Sequence, residues 1–328
     1  MMPMLSNIPR NCRAVAFAFS GAACLLFSGP AAAKATYTTF TDGYVTTINA
    51  SATVAGLADE DSFIRTADGS VSLFGVPGAT NTAVKSINDL GVATGVYSDG
   101  LGSHGFIRTA DGAFTSFDVR TATSITPEDI SNNGNVAGYY RDGNGYDHGF
   151  MRAAAGRIRM FDAPAATYTY ALSINDKGLT TGWYITDGNG LHSFVRAVDG
   201  TVTPIDVPGA ESTNAIAINA GGAILGQYNN SDGIEHGFIR SLDGTITSFE
   251  ESGCDVLQPT GINRKGAVTG WCESYANLGH YVGFVRHPDG AFQKFQVPGG
   301  GTGTQPIGIN DSGVIAGNYN NGGFLRFP

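Results

Sequence analysis

Short runs of alternating hydrophobic and polar residues recur along the chain, and each run is bounded by residues that form turns. Residues 83–126 show the pattern clearly. Their four runs are rich in Val, Ile, Thr, Phe and Tyr and lie at residues 83–87, 92–97, 104–109 and 113–119. Two tight turns and one longer polar loop separate the runs, and no run has helical periodicity. The segment therefore predicts four short antiparallel strands, named a to d.

Two sequence markers repeat this unit seven times. The first is Phe-x-Arg in strand c, which begins at Phe63, Phe106, Phe150, Phe194, Phe238, Phe284 and Phe324. The second is Ile followed by Asn or Ser at the end of strand a, at Ile48, Ile87, Ile130, Ile174, Ile218, Ile262 and Ile309. Successive markers lie about 44 residues apart, which is typical of propeller blades. We therefore predict an all-β, seven-bladed β-propeller of four-stranded antiparallel blades.

The seventh unit has strands a, b and c, and the sequence ends after the third. Residues 35–41 resemble strand d of the other units, for example residues 113–117. A sheet in a propeller buries its faces only against neighbouring sheets, so a closed ring is expected. We expect the mature N-terminal strand to complete the seventh blade and close the propeller.

The repeats resemble the HAF family of extracellular repeat proteins. The matching residues are His236-Gly237-Phe238-Ile239-Arg240, Asp243-Gly244, Val207-Pro208-Gly209-Ala210 and Ile218-Asn219. Not every unit keeps every element: Ala155 stands in place of Asp, and Arg120 in place of Pro. The resemblance implies an exported, propeller-like protein, and it implies no particular reaction.

Residues 1–33 have the features of a signal peptide. Arg10 and Arg13 precede a mostly apolar segment, and Ala31-Ala32-Ala33 is a small-residue cleavage signature. Residues 34–328 are then one propeller domain that is exported, either to the periplasm or outside the cell. The formal charge of −9 disfavours nucleic acid as a partner. No other stretch is long and apolar enough to predict a membrane span, and we expect a monomer.

Two cysteines, Cys254 and Cys272, lie in the mature part of the chain. Two cysteines in an exported protein favour a disulfide bond. Two buried free thiols are the alternative.

The b–c and d–a loops are longer and more variable than the a–b and c–d turns, and loops of this kind carry binding sites on rigid scaffolds. We call the side of these loops the long-loop face. Aromatic residues at the ends of b strands lead towards it, and sugars stack on such rings. The candidate ligand-binding residues are Trp183, Tyr184, Trp271, Tyr140 and Tyr228. The alternative is that these rings fill gaps between blades.

Repetition favours structural roles for several polar residues. Histidines recur at His104, His148, His192, His236 and His280, but equivalent positions on separate blades do not converge on one metal ion. The repeated arginines need partners, and the turn aspartates are candidates. Loops such as residues 142–145 and 187–190 lack the spacing of an EF-hand. We therefore expect no metal or other cofactor, with calcium as the weaker alternative.

Departures from the repeat cluster in the fifth and sixth units. Glu251, Glu273 and His280 could act as acid and base if they converge, but no familiar catalytic motif is present. The favoured hypothesis is therefore a non-enzymatic binding or scaffold module for a glycan or protein ligand. The alternative is a hydrolase or lyase that acts on polysaccharide.

Overall fold

A computed structural model describes residues 35–188, 190–231, 234–320 and 322–328. The signal peptide predicted at residues 1–33 lies outside the described residues. In the described part of the chain no helix is long and apolar enough to span a membrane.

The described strands form seven four-stranded antiparallel sheets, as predicted. The first three blades are β2 (Tyr44–Ile48), β3 (Val54–Ala58), β4 (Asp61–Arg65) and β5 (Val71–Phe74); β6 (Asn81–Ile87), β7 (Ala93–Ser98), β8 (Ser103–Arg108) and β9 (Phe114–Phe117); and β10 (Ser124–Ile130), β11 (Val136–Arg141), β12 (Asp147–Arg152) and β13 (Ile158–Phe161). The next three are β14 (Ala166–Ile174), β15 (Thr180–Thr186), β16 (Leu191–Arg196) and β17 (Val202–Ile205); β18 (Ser212–Ile218), β19 (Ile224–Asn229), β20 (Glu235–Arg240) and β21 (Ile246–Phe249); and β22 (Val256–Ile262), β23 (Val268–Glu273), β24 (Val282–Arg286) and β25 (Phe292–Phe295). A 3-10 turn, Tyr275–Asn277, lies in the b–c loop of the sixth blade.

The seventh blade joins the two ends of the described chain. It contains β26 (Thr304–Ile309), β27 (Ile315–Tyr319) and β28 (Gly322–Phe327), and its outer strand is β1 (Thr36–Phe40). β1 pairs antiparallel with β28, with Thr36 opposite Phe327 and Phe40 opposite Gly323. Phe40 is buried against Val45 and Phe63 of the first blade. Pairing and packing at this joint therefore link the seventh blade to the first.

The core consists of seven hydrophobic clusters of one repeating design. The phenylalanine of each strand c is fully buried and lies opposite a glycine of strand b, as Phe106 lies opposite Gly95. A Cβ atom at Gly95 would lie 2.9 Å from the Phe106 ring and 2.1 Å from the carbonyl oxygen of Ala83. The phenylalanine ring occupies the space of the missing side chain, so glycine is required there.

The repeated arginines pack on aromatic rings of the preceding blade. The guanidinium carbon of Arg108 lies 4.8 Å from the centre of the Phe74 ring, and five other arginines repeat the arrangement. The turn aspartates accept hydrogen bonds within their own turns instead, as Asp68 does from the Ser70 amide at 3.0 Å. The ion pair of Arg65 is with Asp42 at 2.7 Å. The expected pairing with turn aspartates is therefore replaced by cation–π contacts between blades.

Candidate functional site

A belt of asparagines surrounds the channel at the short-turn face, the side of the a–b and c–d turns. The asparagine belt contains Asn49, Asn88, Asn175, Asn219, Asn263 and Asn310. Each side-chain amide donates to a main-chain carbonyl of the next blade, at 2.9–3.3 Å. The side-chain oxygen holds its own turn, as Asn88 Oδ1 accepts from the amides of Leu90 and Val92. The belt therefore fixes each tight turn and fastens it to its neighbour.

The third blade interrupts the belt, because Ser131 occupies the asparagine position. Asp129, two residues before Ser131, makes hydrogen bonds between blades near this position. Its carboxylate accepts hydrogen bonds from the hydroxyls of Ser86 and Ser173 and from the amides of Ile130 and Ile174, all at 2.8–2.9 Å. Burial raises the pKa of Asp129. One carboxylate thus connects the second, third and fourth blades.

A cavity of about 260 Å³ opens at this end of the channel. Asp89, Asp176, Asp311 and Arg264 line it together with the belt. The first three carboxylates each accept a main-chain amide of the preceding blade, at 2.7–2.8 Å. Hydrogen-bond donors and acceptors in the wall of the cavity are therefore paired with one another. The sequence showed the belt only as the repeated Ile-Asn marker.

A group of aromatic side chains lies between the third and fourth blades, beside Asp147 at the b–c loop end of β12. The rings of Tyr170 and Trp183 lie 4.0 Å apart between centres, and Tyr139 meets Tyr170 edge-on at 4.9 Å. Trp271 makes a similar edge contact with Tyr281 in the sixth blade, at 4.9 Å. These half-buried rings are available to pack against a ligand at the long-loop face.

A buried carboxylate holds the first aromatic group in place. Asp147 binds Arg141 through two hydrogen bonds, at 2.9 and 2.7 Å, and accepts the Tyr170 hydroxyl at 2.7 Å. Burial opposes ionisation of Asp147, but the bonds from Arg141 and Tyr170 outweigh it, so its pKa is lowered. Burial and the bond to Asp147 raise the pKa of Tyr170. Tyr170 is therefore fixed as a neutral, oriented ring.

Three of the candidate ligand-binding tyrosines contact histidines of the repeat. Tyr140, Tyr184 and Tyr228 are buried. Each ring stacks on the histidine opposite it in strand c, with centres 5.0–5.2 Å apart. Of the five candidates, Trp183 and Trp271 are half-buried. Adjacent residues of a strand point to opposite faces of the sheet. The sequence did not show which of the two faces would be the more exposed, so it could not separate the tryptophans from the tyrosines.

His104, His148 and His192 connect the loops of their own blades. Nδ1 of His104 lies 2.9 Å from Asp118, and Nε2 lies 3.3 Å from Asp99. His148 and His192 contact the equivalent aspartates at 2.8 Å. Each of these three histidines thus joins a b–c loop or strand c to the d–a loop of the same blade.

Stability should depend on pH through His104. Burial lowers the pKa of His104, but the hydrogen bond and charge of Asp118 outweigh it, and the pKa is raised from 6.5. The stabilisation by His104 is therefore fully present below the unfolded-state pKa and is lost as pH rises through the folded-state pKa. We expect His104→Gln to reduce the free energy of unfolding more at pH 5 than at pH 8, measured by urea titration. Asp118→Asn should weaken the same pH dependence, since Asp99 still contacts His104, and equal losses in His104→Gln at both pH values would contradict the assignment.

The disulfide prediction is confirmed. Cys254 and Cys272 are bonded, with Cα atoms 5.4 Å apart. Cys272 takes the strand b position that Tyr140 holds in the third blade, and Val282 takes the place of the opposing histidine. The disulfide thus stands where other blades have a tyrosine–histidine pair, and it ties the loop after the fifth blade to the sixth.

The candidate acid and base residues surround this disulfide. His280 is exposed and lines a pocket of about 270 Å³ with Cys272 and Lys294. Glu251 pairs with Lys294 at 3.3 Å, and Glu273 accepts a hydrogen bond from the Gly279 amide. Each carboxylate thus has a structural partner in the loops.

No group of three or more His, Cys, Asp or Glu side chains suited to a metal ion occurs among the described residues. The loop at residues 142–145 is held by Asp142, which accepts the amides of Asn144 and Tyr146 at 2.8 and 2.9 Å. Ordinary turn hydrogen bonds therefore account for its sequence.

No protein-family model matches the sequence, and no curated protein is similar to it in sequence at a significant level. The fold is that of solved β-propellers. Virginiamycin B lyase from Staphylococcus aureus is 13% identical with a TM-score of 0.61, over 89% of this chain and 98% of that chain. A chain of the mitotic checkpoint complex is 12% identical with a TM-score of 0.58, over 97% and 99%. YCF48 bound to a peptide is 10% identical with a TM-score of 0.56, over 89% and 94%.

At these identities the likeness establishes the propeller fold and nothing about chemistry. The function has to be argued from the residues of this chain.

Proposed function

We propose that the protein is an exported binding propeller that holds a glycan on its long-loop face. The main support for this proposal is the aromatic group of the third and fourth blades. In this group, Asp147 fixes the Tyr170 ring beside Trp183. A sugar ring presents C–H groups on its faces and hydroxyls at its edge, so it suits aromatic rings with polar groups nearby. Preorganised rings lose little entropy on binding.

Binding is favoured over catalysis by the state of the candidate acid and base residues. Glu251 is paired with Lys294, and Glu273 holds the Gly279 amide. A general acid or base needs to reach the reacting group, and both carboxylates are engaged in holding loops.

Export, to the periplasm or outside the cell, is supported by the disulfide and by the predicted signal peptide. Membership of the HAF family is part of the same proposal and rests on the repeat motifs. Propellers of this fold include both a lyase and a protein bound to a peptide, so the fold is compatible with a protein ligand as well.

The test is a glycan array followed by calorimetry with the mature chain. We expect at least one oligosaccharide to bind, and Trp183→Ala to weaken it about tenfold or more, equivalent to 1.4 kcal/mol. Leu242→Ala is the matched control, because Leu242 is an exposed side chain on the short-turn face. The proposal fails if no glycan binds, if Trp183→Ala has no effect, or if a bound polysaccharide is cleaved.

A further inference from the structure

A second pocket on the long-loop face lies where the two ends of the described chain meet. This seam pocket has a volume of about 360 Å³. Its described lining includes Thr41, Tyr44, Tyr281, Gln305, Asn318 and Tyr319. Three segments build it: the connection after β1, the b–c loop of the sixth blade, and the seventh blade.

Main-chain and amide hydrogen bonds hold these three segments together. Tyr281 donates its amide to the Thr302 carbonyl at 2.7 Å, and its own carbonyl accepts the Thr304 amide at 3.0 Å. Asn318 accepts the Val45 amide at 2.8 Å and donates to the Val45 carbonyl at 2.9 Å. The seam pocket is therefore formed before any ligand arrives.

The lining combines aromatic rings with uncharged polar groups. Tyr44 is 52% exposed, and Tyr281 and Tyr319 are half-buried. The Gln305 side chain makes no hydrogen bond to another described residue. No described lining residue is charged. This chemistry suits a neutral sugar, whereas an anionic ligand would find no cation among these residues.

We propose that the seam pocket binds a neutral sugar unit and thereby strengthens the closure of the ring. The inference rests on the proposed glycan-binding function and names a subsite and a sugar class for it. Thr41 and Tyr44 follow the closing strand β1, while Gln305 and Tyr319 belong to the seventh blade. A ligand that contacts both sides binds the closed ring and not an opened one, so it stabilises closure by mass action.

The experiment uses cellohexaose, maltohexaose and polygalacturonate with the mature chain and its variants. We expect a neutral oligosaccharide to bind and Tyr44→Ala and Tyr281→Ala each to weaken it about tenfold, with Tyr44→Phe near the parent value. Tyr44 is exposed, so its loss should leave the fold intact. At about 100 times Kd the ligand should raise the thermal midpoint by about 5 °C, and this rise should shrink in Tyr44→Ala at equal ligand concentration.

The outcomes separate this inference from the proposed function. If Trp183→Ala weakens binding and the two tyrosine variants do not, the seam proposal is overturned and the glycan function stands. If only polygalacturonate binds, the neutral class is wrong. If none of the three binds and the array is also negative, both proposals fail.

Discussion

Replacing Phe40 with alanine is expected to lower the free energy of unfolding by about 3–5 kcal/mol. Phe40 is 6% exposed and packs with Val45, Phe63 and Leu325. The guanidinium of Arg65 also lies 4.6 Å from its ring centre. The substitution leaves a cavity at the joint between the seventh and first blades. Urea unfolding followed by tryptophan fluorescence measures the loss.

Thr38→Ala is the matched control for Phe40→Ala, because Thr38 lies on the same strand with an exposed side chain. It should change the free energy of unfolding by less than about 0.5 kcal/mol. If Phe40→Ala costs no more than Thr38→Ala, β1 does not stabilise the ring.

Asn310→Ala should lower the free energy of unfolding by about 2–4 kcal/mol. The Asn310 side chain accepts the amides of Ser312 and Val314 at 3.0 Å. It also donates to the carbonyls of Asn49 and Ala50 at 3.3 and 3.2 Å. Its loss leaves these groups without partners at a buried turn and removes a link between the last and first blades. Urea titration of the purified variant measures the effect.

The interruption of the asparagine belt supplies the converse variant. Ser131→Asn restores the missing side chain, which can donate to the Asn175 carbonyl as its counterparts do in other blades. We expect this variant to gain about 0.5–1.5 kcal/mol. If Asn310→Ala lowers the free energy of unfolding and Ser131→Asn does not raise it, the belt stabilises individual turns and does not stabilise the contacts between blades.

The repeat allowed the blades to be predicted with useful accuracy. In the second blade, predicted strands at residues 83–87 and 92–97 compare with β6 (Asn81–Ile87) and β7 (Ala93–Ser98). Turn residues and the Phe-x-Arg marker set these limits, because each unit uses the same turns and the same buried phenylalanine. The limits of one short strand are ambiguous in sequence, but seven copies of the same unit can be compared to set them.

The working surfaces were harder to predict, because they depend on which side of a strand faces the neighbouring blade. Tyr139 and Tyr140 are adjacent in sequence, yet Tyr139 contacts Tyr170 of the next blade and Tyr140 stacks on His148 of its own. The belt escaped prediction for a similar reason: its hydrogen bonds join residues 39–47 positions apart or at opposite ends of the chain.

The seam pocket could not be read from the repeat at all. It combines Tyr44 with Gln305 and Tyr319, and these residues become neighbours only because β1 pairs with β28. Tyr319 holds the strand b position of Tyr140 in the third blade, but a repeated position does not show which residues of other segments will lie beside it.

Amide hydrogen exchange of residues 36–44, with and without a bound neutral oligosaccharide, tests the central claim most directly. The account predicts that the amides of β1 that pair with β28 exchange as slowly as those of β28, and that residues 41–44 gain protection when the sugar binds. Fast exchange throughout β1 while β26–β28 remain protected would contradict closure of the ring by this strand. The seam pocket would be lost with it.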